Sequence, residues 1–144
     1  MLVELEDYYH LNKKMDVDIF LVRDNMRNSL IINNDPVRIK QVLSNLLNNA
    51  MKFTEKGSVK FGYEILSKQI RFFVSDTGIG ISETNFDTIF NHFYKVEDDT
   101  KKLYRGTGIG LAICKKIVTL MGGEIWVESE LNIGTTFYVD LPLD

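Results

Sequence analysis

The chain has 144 residues, 44% of them hydrophobic and 26% charged, with a formal net charge of −3, which suits one globular domain with a buried core. There is no overall basic surface for nucleic acid, no apolar run near the roughly 18 residues of a membrane span, and no signal-peptide stretch at the N-terminus. The one cysteine, Cys114, excludes an internal disulfide, fits a reducing compartment and reads as a small buried hydrophobe on a helix.

In chain order, "LVELEDYYHLNKKM" is polar and weakly periodic, so residues 1–15 read as a linker or the tail of an upstream helix, ahead of a domain over 16–144. "VDIFLVRD" and "SLIIN" look like strands joined by the turn residues "NMRN". "NNDPVRIKQ" opens a helix, with Asp35 as N-cap and Pro36 at the first helical position, and Gly57 closes that region. "SVKFGYEIL" and "QIRFFVSD" are two further strands joined at "SK". From Thr77 to Arg105 the chain is polar, with short apolar clusters such as "IFNHFY", and should hold small helices and a long loop. "GIGLAICKKIVTLMGG" is a second long helix, with Ile113, Ile117, Leu120 and Met121 on one face and Gly122 ending it. "EIWVESELNIGTTFYVDLPL" is a closing hairpin that turns near Asn132 to Gly134, where Asn tolerates the left-handed conformation. The pattern is an α+β fold, a two-layer α/β sandwich whose mixed, mostly antiparallel sheet carries helices on one face.

The first long helix contains "NLLNNAMKFT", with three asparagines where helix propensity disfavours them. At about 100° per residue, Ile39, Val42, Leu43, Leu46, Leu47, Ala50 and Phe53 form one broad buried face. Arg38, Asn45, Asn49 and Lys52 form a narrow strip beside it, and Asn48 falls farther round, toward solvent. The strip is either a solvated polar edge or the floor of a pocket. An amide oxygen is a hard neutral ligand suited to Mg²⁺, and a lysine one turn away supplies charge to a phosphate.

Two glycine segments favour the pocket. "SDTGIGI" directly follows an apolar strand, so its glycines bring backbone close to a ligand beside the carboxylate of Asp76. A carboxylate only accepts hydrogen bonds, so it takes a proton from an exocyclic amine such as adenine's and repels a carbonyl there, favouring ATP over GTP. "RGTGIGLAI" runs into a helix whose N-terminal N–H groups form an anion site. There is no GxxxxGK[ST] phosphate loop and no βαβ context for a dinucleotide fingerprint.

In this order the chain resembles the ATP-binding (Bergerat-fold) catalytic domain of bacterial sensor histidine kinases, within the gyrase, heat-shock chaperone and mismatch-repair ATPase superfamily. The resemblance runs from Asp18 to Leu143, with "DPVRIKQVLSNLLNNAMKFT" as N box, "DTGIGI" as G1 box, "IFNHFYKV" as F box and "GTGIGLAI" as G2 box. It implies that Asn49 ligands Mg²⁺, Asn45 lies by the phosphates, Lys52 contacts phosphate and Phe53 packs beside the nucleotide. It implies that Asp76 reads adenine, with Gly78, Gly80 and Ile81 shaping that turn, and that Tyr94 and Lys95 reach nucleotide from the F box. A mobile lid is implied over about residues 85–106. At its end and just after it, Arg105, Gly106, Thr107, Gly108, Gly110 and Leu111 are implied to form the phosphate-side segment. ATP and Mg²⁺ are the implied cofactors.

In the hydrolysing relatives a glutamate one turn before the magnesium asparagine activates water; here that position is Asn45, which is no general base near neutral pH. The resemblance therefore implies a kinase, with Asn45, Lys52 and Lys95 as its catalytic residues. Its acceptor would be a histidine on its own dimerisation and phosphotransfer domain, since neither His10 nor His92 stands in the acceptor's sequence pattern. A fragment of this kind is expected to be monomeric, cytoplasmic even where its parent is membrane-anchored, and unable to phosphorylate itself. A response-regulator receiver domain is the expected downstream partner. The alternative is a stand-alone relative, a regulatory serine kinase or a partner-binding module.

Overall fold

The computed structural model describes residues 1–23, 32–91 and 110–143. Its elements are α1 (Leu2–Asn12), β1 (Val17–Val22), α2 (Pro36–Phe53), β2 (Gly57–Ile65), β3 (Gln69–Asp76), α3 (Gly110–Leu120), β4 (Glu124–Glu130) and β5 (Gly134–Pro142), with a 3₁₀ turn at Glu83–Asn85. The expected strand at "SLIIN" falls mainly on residues outside the described ones; Ile32 and Asn33 are not in a strand.

The strands form one five-stranded sheet in the order β1-β2-β3-β5-β4. β1 pairs parallel with β2, and every other pairing is antiparallel. Alternation along the strands turns Val17, Ile19, Val59, Phe61, Ile70, Phe72, Val74, Phe137, Val139 and Leu141 to one face, where they are buried under the helices. This is the two-layer sandwich expected from the sequence. On the opposite face, Arg71 holds Asp140 by two hydrogen bonds of 2.8 and 2.9 Å and lies 4.8 Å from the ring centroid of Trp126.

α2 begins as its sequence requires: the Asp35 side chain accepts from Val37 N at 2.9 Å and Arg38 N at 3.3 Å, with Pro36 at the first position. Its buried residues are Ile39, Val42, Leu43, Leu46, Leu47, Ala50 and Met51. Phe53, expected on that face, is the last residue of the helix and is only half-buried, although Met51 and Thr54 on either side of it are buried. In α3 the expected stripe is rotated: Ala112, Cys114, Ile117 and Val118 are buried, whereas Leu120 is 79% exposed. Contact with α2 on one side and β4 on the other selects that face. Gly122 ends the region at φ 76°, and Asn132 turns the last hairpin at φ 64°, both as expected.

Residues 1–15 hold α1, whose Leu5 and Tyr9 are buried in the same core as the sheet. Three side chains of this segment tie it to α2, the first being Glu4, which pairs with Lys40 at 3.3 Å. Tyr9 donates to Asn48 Oδ1 at 2.6 Å, and Lys14 Nζ donates to the carbonyls of Thr54 at 3.1 Å and Lys52 at 3.5 Å, supplying a cation to the end of α2. Burial pushes the Tyr9 hydroxyl up to about 12.

Candidate functional site

From Asn45 onward the strip on α2 survives folding as a half-buried edge, whereas Arg38, expected with it, is exposed and bonds to Gln41. Asn45, Asn49, Lys52 and Phe53 are all half-buried, and Lys52 Nζ lies 5.7 Å from the Phe53 ring centroid. Asn48 is exposed as expected, yet it has a purpose that the helix alone does not reveal, since it accepts the Tyr9 hydroxyl. The N-terminal residue of α3 faces the strip: a Cβ on Gly110 would lie 4.0 Å from Asn45 Cγ. The N–H groups that open α3 thus lie beside the asparagines, which makes this corner favourable to an anion. One turn along α3, burial pushes the Cys114 thiol up to about 11, offset in part by a hydrogen bond from the Asn45 side chain. Cys114 is therefore an inert packed thiol, with its Sγ donating to the Val42 carbonyl at 3.7 Å.

Asp76 ends β3 and is 8% exposed. Its carboxylate accepts from Gly78 N at 2.8 Å and from the backbone of Thr135. Burial dominates these bonds and pushes its carboxyl from an ordinary 3.8 up to about 6. Near pH 7 the group is mostly ionised, with acceptor capacity left for a donor from outside.

The loop after Asp76 is held from two sides. On one, Ile79 N donates to the Phe53 carbonyl at 3.3 Å, and a side chain at Gly78 would run into that same carbonyl. On the other, Gly80 adopts φ 74° against the backbone of Glu130, and Asn132 N donates to the Ile79 carbonyl at 2.8 Å. The glycines that the sequence singled out are there because the loop is wedged between the end of α2 and the β4–β5 hairpin. Ile81 is buried below this loop and Leu111 is half-buried at the start of α3.

Folding thus brings together Asn45, Asn49, Lys52, Phe53, Asp76, Gly78, Gly80, Ile81, Gly110 and Leu111, around the C-terminal half of α2 and the end of β3. Tyr94, Lys95, Arg105, Gly106, Thr107 and Gly108 lie outside the described residues, as does most of the expected lid. The first part of that expected segment is described, with Ile89 buried and Phe90 edge-on to Phe137 at 6.1 Å.

Two site residues escaped sequence reasoning. Thr135 lies directly opposite Asp76 across β3 and β5, and Ser129 lies opposite Thr135 across β4 and β5. A signal for Thr135 existed: strand alternation places it on the core face with Phe137, Val139 and Leu141, where a hydroxyl needs a reason. Ser129 carried no comparable mark.

The donor set fits a magnesium nucleotide. Neutral amide oxygens stand beside a helix N-terminus, and an acceptor-only carboxylate stands at the far end, next to backbone that approaches too closely for side chains.

Comparison with known proteins points the same way. The family described as "Histidine kinase-, DNA gyrase B-, and HSP90-like ATPase" matches residues 34–144. The autoinducer 2 sensor kinase/phosphatase LuxQ of Vibrio cholerae is 39% identical over 128 residues, covering 86% of this chain and 15% of LuxQ. Among solved structures, full-length ShkA in complex with AMPPNP superposes with a TM-score of 0.85 at 29% identity, over 98% of this chain and 29% of that one. The catalytic domain of the histidine kinase ThkA superposes with a TM-score of 0.78 at 34% identity, over 98% of this chain and 88% of that one. The chain therefore spans about a seventh of LuxQ and most of the ThkA domain.

Proposed function

As this chain belongs to the family of histidine kinase-, DNA gyrase B- and HSP90-like ATPases, we propose that it is the ATP-binding catalytic domain of a two-component sensor histidine kinase. Its sandwich is the Bergerat ATP-binding fold. The observation that carries the proposal is Asp76, a buried carboxylate that only accepts hydrogen bonds, whose loop packs on the Phe53 end of α2, one turn beyond Asn49, while Asn45 faces the start of α3. Adenine donates its exocyclic amine to Asp76, and the triphosphate points toward the asparagines. Asn49 would hold Mg²⁺, which when bound would supply positive charge to the transferring phosphate.

The protein's own part is positioning and electrostatics. Lys52 and Lys95 stabilise charge on the transferring group. Asn45 has no basic site with which to activate water, so the γ-phosphate is kept for an imidazole nitrogen. That imidazole belongs to a dimerisation and phosphotransfer domain outside these 144 residues, and a response-regulator receiver domain takes the phosphoryl group from it. His10 lies exposed on α1 and is given no part in the chemistry. A cytoplasmic location and a monomeric state belong to the same proposal; no helix among the described residues is long and apolar enough to cross a membrane.

Calorimetric titration with Mg·ATP, with Mg·GTP as comparison, tests the site. Saturable binding of ATP with much weaker GTP is expected. Equal affinity for both would refute the Asp76 reading, and binding of neither would refute the assignment as a nucleotide site.

A further inference from the structure

The hydroxyl of Ser129 has one donor and two acceptor positions, and the structure uses all three. Ile81 N donates to Ser129 Oγ at 2.7 Å, Ser129 Oγ donates to the Gly134 carbonyl at 2.8 Å, and Ser129 Oγ lies 2.7 Å from Thr135 Oγ1. Ser129 has only one proton, and the Gly134 carbonyl takes it. The third contact is a hydrogen bond only if Thr135 donates to Ser129. The Thr135 proton is then turned away from Asp76, and its remaining lone pairs face the rest of its surroundings.

Register makes this matter. Ser129, Thr135 and Asp76 are consecutive cross-strand partners on β4, β5 and β3, and their burial places all three on the helix-covered face, so they form one row at the end of the sheet. Thr135 is 6% exposed and stands beside the carboxylate that reads the base. With its proton given to Ser129, Thr135 joins Asp76 as an acceptor, and the row presents acceptors only.

We propose that Ser129 is a positioning residue for base selection: by taking the Thr135 proton and holding Ile81 N, it keeps the Asp76–Thr135 wall free of donors. This rests on the reading of Asp76 as the adenine contact. An amine on the purine is then matched, and a 6-oxo group meets no hydrogen. Without Ser129, the Thr135 hydroxyl rotates and offers its proton to a 6-oxo group.

The test is the ratio of ATP to ITP affinity, measured by titration with Mg²⁺ on the 144-residue chain and on Ser129→Ala, Thr135→Val and the double variant. ITP differs from ATP in the base edge alone, so the phosphate contacts cancel in the ratio. Ser129→Ala is expected to lower the ratio by roughly 3- to 10-fold, the size of one neutral hydrogen bond. In the Thr135→Val background the same substitution should leave the ratio unchanged, since no proton remains to reorient. A role confined to holding the hairpin would weaken both nucleotides equally. A ratio within twofold of the parent in Ser129→Ala, or an equal fall in both backgrounds, overturns the proposal. Should circular dichroism show that the alanine variant does not fold, Ser129→Cys, nearly the same size with a weaker hydrogen-bonding group, carries the test with the same expected direction. A parent chain that takes ATP and ITP equally refutes the Asp76 reading itself. One that prefers ATP while the variants keep that preference refutes only the role of Ser129.

Discussion

Replacing Asp76 by asparagine should move function and stability in opposite directions. The carboxyl is raised from 3.8 to about 6 by burial, which corresponds to a penalty of roughly 3 kcal/mol on the ionised form in the fold. The folded state holds this proton more tightly than the unfolded chain. The contribution of this group is therefore fully present below about pH 4 and is lost as pH rises through about 6. Asparagine removes the titration. Its oxygen can still accept from Gly78 N, but its amide then opposes the Thr135 backbone donor, at a cost of about 1–3 kcal/mol. At pH 7 these effects nearly offset, and Asp76→Asn should unfold at a denaturant concentration equal to or above that of the parent. At pH 4 only the cost remains, so the variant should be the weaker protein. Binding behaves differently: a buried hydrogen bond to a charged group contributes about 1.5–3 kcal/mol, so ATP affinity should fall about 10- to 150-fold. Urea unfolding of both proteins from pH 4 to 7, with calorimetric titration of ATP, measures both. Parallel pH profiles with ATP affinity within threefold of the parent would refute the reasoning.

The same carboxylate predicts that ATP affinity falls below about pH 6, by up to tenfold per unit; in Asp76→Asn only the titration of the nucleotide's own phosphates should remain. Gly78→Ala drives a Cβ into the Phe53 carbonyl, so a loss of about 1–3 kcal/mol in chemical denaturation and weaker ATP binding are expected together. Lys14→Met removes the cation and hydrogen bonds from the end of α2 and should cost about 1 kcal/mol by the same assay. Thr54 is fully buried and its hydroxyl has no hydrogen-bond partner among the described residues, so Thr54→Val should raise the thermal midpoint, by about 1 kcal/mol in stability.

Much of this protein is local in origin, and that part was legible without coordinates. Asp35 and Pro36 start α2 because a cap and a fixed φ act within one turn. "QIRFFVSD" is β3 to the residue, and Asn132 turns the hairpin at positive φ, for equally short-range reasons. The apolar period of α2 placed Asn45 and Asn49 on the edge of the core, and the order of the boxes identified the family. Faces near an element's end were less legible. Phe53 and Leu120 were expected to be buried, but the end of a helix buries only what its neighbours reach.

Tertiary structure alone decided the rest, because those contacts join residues far apart in sequence through sheet register and helix docking. The Asn48 side chain has a partner only once α1 docks and brings Tyr9 to it. The glycines of the Asp76 loop are demanded by Phe53 on one side and the β4–β5 hairpin on the other. The row of Ser129, Thr135 and Asp76 depends on pairings across β4, β5 and β3, which no periodicity within one strand specifies. Sequence determined which side chains could read a base. Register determined which hydroxyls stand beside them, and so where the protons lie.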